Sequence, residues 1–131
     1  MNYSARQVAQ AEIALEHARI AVHLDTLATM LLDEAHRDVV AEEVRALMLE
    51  VSMHFGFEEL VMQEQGYAEF EQHRRQHIGL MTELAQLLDK VEDMVDPSKV
   101  ARGIDFITHW YRQHLAHSDG ALEAWLAAPA D

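Results

Sequence analysis

The stretch HFGFEEL, residues 54–60, sets His54 and Glu58 one helical turn apart on a face that the neighbouring residues mark as apolar. A histidine with a carboxylate one turn on can hold a metal ion or move a proton. The same intrusion recurs at His17, at His73 and His77 in HRRQH, and at His114 in HWYRQHLAHSD, each on a stripe of apolar positions spaced alternately three and four apart. A lone histidine on such a stripe is ordinarily a core residue with a backbone or water partner, and His17 alone would be read that way. Taken together the arithmetic changes. A domain of this size is stable by only ~5–15 kcal/mol, and each buried polar group left unpaired costs about 1–3 kcal/mol. A whole layer of them would consume that stability unless one partner satisfied all at once, which a metal centre does.

The donor set narrows the metal. The chain has no cysteine, so imidazole and carboxylate act without thiolate, which suits iron, manganese, nickel or zinc. Five imidazoles and two carboxylates exceed what one tetrahedral zinc needs, and two metals are the economical reading. The Glu-x-x-His signature of carboxylate-rich four-helix di-iron proteins occurs nowhere in the chain, which argues against a ferritin-like or oxygenase-like centre.

The elements that must position these residues are helices. Breaks at LLDEAHRD, QEQGY and MVDPSKV divide the chain into four segments, the Asp-Pro-Ser of the last being a helix-start signal. The first seam reads Ile13, His17, Ile20, Leu24, Leu27, Leu31, and the second Val40, Val44, Leu47, Val51, His54, Glu58, Val61. The third reads Phe70, His73, His77, Leu80, Leu84, Leu87, Val91, and the fourth Val100, Ile104, Ile107, Tyr111, His114. Four helices of about 22–28 residues with short connections predict an all-α, antiparallel up-down-up-down four-helix bundle. The polar positions fall early in the first and third helices and late in the second and fourth, hence at one end of such a bundle. The reading is one domain over residues 1–131, with an N-terminal arm at 1–11 and a C-terminal tail at 121–131.

Composition agrees and excludes alternatives. The chain has 131 residues, half of them hydrophobic, with five glycines and two prolines, as a helix-rich single domain should. Ten basic against 23 acidic residues give a net charge of -13. That disfavours nucleic acid and anionic membranes as partners and suits a monomer. Absent cysteine removes disulfides and iron–sulfur clusters. MNYSARQVAQAEIALEH has no apolar leader segment, and no run reaches membrane-spanning length, so a cytoplasmic location is expected. Nine histidines are more than a surface needs.

HFGFEEL fits a His-Phe-x-x-Glu-Glu pattern, HRRQH a His-x-x-x-His pattern, HWYRQHLAHSD a Trp-x-x-x-His-x-x-x-x-Asp pattern, and EHARI an upstream histidine with an apolar residue three on. In this order, across residues 13–120, the chain resembles the hemerythrins, specifically the single-domain bacterial ones. The resemblance implies two irons, one held by His73, His77 and His114, the other by His17 and His54. Glu58 and Asp119 would bridge them beside a solvent-derived oxo or hydroxo group. The second iron is then left with an open position where the family binds dioxygen.

Asp119 is taken on that resemblance. It lies about 140° round an ideal helix from His114 and periodicity alone prefers His117 or Ser118, with local distortion or fraying before Gly120 the expected help. His23 competes with His17 but lies beside the seam. Ala14 stands where the family often has Asp, so the first-helix histidine is expected to lack that supporting partner. His36, His109 and His117 are read as surface residues and Glu59 as a supporting hydrogen-bond or solvent-facing group. A dry dioxygen pocket is expected from Ile20, Phe55, Trp110, Tyr111 and Leu115, with Tyr111 where the family usually has Leu. The leading functional reading is reversible dioxygen binding for delivery, storage or sensing. Its rival is a di-iron enzyme that reduces peroxide or nitric oxide with Tyr111 taking part, and a third is an interaction module of a larger sensor.

Overall fold

The computed structural model describes residues 4–93 and 96–128, and among these every regular element is helical. Helix α1 (Ala5–Leu32) begins in a reciprocal cap: Ser4 Oγ accepts from the Gln7 N–H while the Gln7 side chain accepts from the Ser4 N–H. Helix α2 (Arg37–Gln65) is capped by the His36 ring and stops at Gly66, whose φ of 69° only glycine adopts without cost. Helix α3 spans Phe70–Glu92. Helix α4 (Pro97–His114) starts from the Asp96 cap with Pro97 in its first turn. It continues without a break through a π-helical turn, Leu115–Asp119, into the short helix α5, Gly120–Ala127.

The four long helices share one apolar core and pack as a helical bundle. α1 and α3 each lie against both α2 and α4. The core draws Leu24 and Leu27 from α1, Val44 and Leu47 from α2, Leu84 and Leu87 from α3, and Ile104 and Ile107 from α4. Side chains of this kind stabilise by about 1.5–3 kcal/mol each when fully buried. Helix α5 packs against α1 and closes one end with a second cluster of Ala9, Ile13, Val61, Met62, Leu122 and Leu126.

Two expectations about the ends change. Residues 5–11, expected as an arm, are the opening turns of α1, because Ser4 already supplies a full cap. Residues 121–127 of the expected tail belong to α5, held by burial of Leu122 and Leu126. Residues 1–3 and 129–131, and Met94 and Val95 of the third break, lie outside the described residues. Among the described residues no helix is long and apolar enough to cross a membrane.

Candidate metal centre

Between the two apolar clusters lies a polar layer. α1 contributes His17, α2 His54 and Glu58, α3 His73 and His77, α4 His114, and the π turn Asp119. Their donor atoms form two overlapping groups, each with all members within 4.8 Å of one another: His73, His77 and His114 with both carboxylates, and His17 and His54 with the same two. All are buried except His17, whose side chain is 11% exposed. The π turn explains Asp119. A widened turn brings the fifth residue after His114 back over the same face, where an α-helical turn would carry it aside.

Each carboxylate divides its oxygens between the two histidine groups. Glu58 Oε2 lies 3.4 Å from His17 Nε2 and 3.2 Å from His54 Nε2, while Oε1 lies 3.3 Å from His73 and 3.0 Å from His77. Asp119 Oδ2 lies 3.1 Å from His17, and Oδ1 lies 2.8 Å from His73 and 3.1 Å from His114. Every imidazole therefore turns Nε2 inward.

The outward Nδ1 atoms have partners, most of which sequence reading did not foresee. His54 Nδ1–H donates to Glu16 at 2.9 Å, His77 to Glu59 at 3.2 Å, and His114 to the amide oxygen of Gln76 at 2.9 Å. The same amide oxygen accepts from Ser118 Oγ–H at 2.5 Å. Ionised carboxylates and amide oxygens only accept, so in the neutral rings of His54, His77 and His114 Nδ1 carries the proton and Nε2 presents a lone pair inward. His17 is not left unsupported by Ala14: Glu123 of α5 places Oε1 3.4 Å from its Nδ1. Of these partners only Glu59 was foreseen. Glu16 could have been found as the carboxylate preceding His17, but nothing local marks Gln76 or Glu123.

The electrostatics pull in opposite directions. Burial works to lower the pKa of His17 and of His73, but Asp119 and Glu58 outweigh it and lift each to about 9. His54 is also raised: burial opposes, and Glu58 and Glu16 prevail. At His114 burial wins and the pKa falls. Burial would raise both carboxyls, yet the facing imidazoles hold Glu58 and Asp119 below the usual range.

Short separations here are not hydrogen bonds. Among the described residues ten buried atoms have no aligned partner: the Nε2 atoms of the layer's five histidines, both oxygens of Glu58 and of Asp119, and the Tyr111 hydroxyl. Nine of these are imidazole nitrogens and carboxylate oxygens able to ligate a metal and gathered in one place, so the residues present fit a metal centre. Imidazole and carboxylate without thiolate accept borderline and hard divalent metals, iron among them.

Around this layer Phe55 stacks on His77 with ring centroids 3.6 Å apart, and Trp110 stacks on His114 at 4.9 Å. Both thus lie beside the three-histidine group, Phe55 also standing 5.8 Å from the His54 ring. Tyr111 stands edge-on to His17 at 6.4 Å. Ile20 is buried in the main core and Leu115 packs against it. His23 stands outside the layer, bonded through Nδ1 to Glu43 at 2.6 Å. His36 caps α2, and His109 and His117 are exposed.

Comparison with known proteins places this geometry. Residues 8–126 match the family described as the hemerythrin HHE cation binding domain. A relative from Methylococcus capsulatus (strain Bath), named bacteriohemerythrin, is 30% identical over 107 residues, covering 79% of this chain and 75% of the relative. No solved structure matches the chain. With the match reaching from the first helix to the last, the chain belongs to the hemerythrin family.

Proposed function

We propose that this chain binds dioxygen reversibly at a non-haem di-iron centre, for delivery, storage or sensing, and that its helices run as an antiparallel up-down-up-down bundle. The observation that carries the reading is the set of nine unpartnered donor atoms facing one another in an otherwise apolar interior. His73, His77 and His114 would hold one iron, and His17 and His54 the other. Glu58 and Asp119, whose oxygens divide between the two groups, would bridge, alongside an oxo or hydroxo group from solvent. Two imidazoles against three would leave the His17–His54 side as the one open to dioxygen, and two irons held in the layer would supply the electrons that dioxygen takes up.

The protein's own part is to hold and to exclude. Glu16, Glu59, Gln76 and Glu123 fix the imidazole orientations, and the apolar clusters above and below keep bulk water away. Phe55, Trp110, Tyr111, Ile20 and Leu115 would wall the space around the ligands, the three aromatic rings standing beside the histidines. We take dioxygen as the small-molecule partner and a cytoplasmic monomer as the working form, the charge of -13 favouring neither self-association nor nucleic acid. Iron analysis with absorption spectra under alternating air and argon tests this. Two irons per chain and a band that appears and fades reversibly are expected; a single zinc, or a change that never reverses, would overturn it.

A second reading is favoured by one atom. The buried Tyr111 hydroxyl has no partner and stands beside His17, a donor suited to an oxygen species on that side. In that reading the centre reduces peroxide or nitric oxide with Tyr111 taking part. Stopped-flow decay of the oxygenated protein, with and without added peroxide, separates the two: turnover of peroxide favours the enzyme.

A further inference from the structure

The two histidine groups differ in what stands behind them. Both members of the two-histidine group face a carboxylate: Glu16 behind His54 at 2.9 Å and Glu123 behind His17 at 3.4 Å. In the three-histidine group only His77 does, through Glu59. His114 has the neutral amide of Gln76, whose oxygen is already shared with Ser118. His73 borders an open cleft with Glu69, Gln72 and His117, and among the described residues no side chain bonds its outer nitrogen.

This asymmetry has a chemical meaning. A carboxylate accepting the Nδ1 proton draws it outward and makes Nε2 a stronger donor, whereas an amide, carrying no charge, does so less. The position with fewer imidazoles is therefore the one whose imidazoles are both carboxylate-backed. Half of that backing comes from outside the bundle. Glu123 rides on α5, which Arg6 ties down: its guanidinium lies 4.0 Å over the Trp125 ring, and it donates to Gln65 Oε1 at 3.0 Å and to the Trp125 carbonyl at 3.4 Å.

We infer that Glu16 and Glu123 are positioning residues that strengthen His54 and His17 as donors, offsetting the missing third imidazole, so that full loading of the two-histidine position depends on docking of α5. The inference rests on the metal reading above. Anaerobic titration of metal-free protein with Co²⁺ against a competing chelator, followed by visible absorption, tests it. Two equivalents should bind to the unmodified protein. Glu16→Gln and Glu123→Gln, which keep shape and remove charge, should each weaken one equivalent about 10–100-fold and leave the other unchanged. Arg6→Met should weaken that same equivalent, and Glu59→Gln the opposite one. Equal loss at both positions, or no loss, with the melting temperature of the metal-free variants unaltered, overturns the assignment while the metal reading stands. Uptake of fewer than two equivalents by the unmodified protein overturns both.

Discussion

The Tyr111 hydroxyl is an atom whose cost and use can be measured apart. Buried without a partner, it costs the fold about 1–3 kcal/mol. Burial first, then the charges of Asp119 and Glu58, push its pKa upward, so the phenol keeps its proton and remains a donor. Tyr111→Phe should therefore raise the melting temperature of the metal-free protein, leave iron content intact, and change the lifetime of the oxygenated form severalfold. An unchanged lifetime in stopped-flow decay would reduce Tyr111 to packing. The histidines make a second prediction. His17 and His73 are lifted from 6.5 to about 9, so the stability they contribute is complete below 6.5 and lost as pH rises through 9. His54 shifts the same way, while His114, held below 6.5, stays neutral throughout that window. Thermal melts of metal-free protein should fall between pH 6.5 and 9 and those of loaded protein should not, because bound imidazoles are already neutral. A flat profile without metal would contradict the ion pairing.

Among the elements, the π turn decides most. It sets Asp119 in the polar layer and carries the chain on into α5, which packs against α1. Ser118 and His114 both donate to Gln76, which ties the turn to α3. Ser118→Ala should lower the melting temperature by the loss of one hydrogen bond, about 0.5–1.5 kcal/mol, and Ser118→Thr should restore it. Equal stability of the alanine variant would mean the turn holds itself. The same element marks where sequence reading stops. Ile13, Leu24, Val44, Leu84 and Ile104 were legible as core because α-helical spacing of three and four repeats faithfully along each helix. The gathering of His17, His54, Glu58, His73, His77 and His114 in one layer was legible by the same rule. Asp119 was not, since spacing assumes an unbroken α-helix and only resemblance named it. Glu16, Gln76 and Glu123 were hidden differently. They flank the seam among 23 acidic and many other polar residues, and only the approach of a neighbouring helix separates Glu16 from Glu12. Helix α5 was read as tail, the fourth seam having been traced only to His114, whereas its Leu122 and Leu126 bury against α1 and α2.

For the whole molecule, a polar layer between two apolar clusters would make metal and fold interdependent. Nine unpartnered donors at about 1–3 kcal/mol each would rival the ~5–15 kcal/mol that holds such a domain together. Protons on His17, His54 and His73 relieve part of this without metal, so the metal-free chain should stay helical yet melt ~10 °C or more lower. Circular dichroism before and after chelation measures this; identical melts would mean that the layer is satisfied without metal.

The two tryptophans stand at opposite functional posts, and this gives the protein two fluorescent reporters that need no label. Trp110 lies flat on His114, so its emission should be quenched when a transition metal occupies that side. Trp125 lies under Arg6 and beside Tyr67, so its emission should follow the docking of α5 and shift to the red when solvent reaches it. Trp125→Phe would leave a signal for metal arrival, and Trp110→Phe one for helix closure. Stopped-flow traces of the two variants during metal uptake would then order the events: if α5 must close before the His17–His54 position fills, the Trp125 change runs ahead of the second metal rather than behind it.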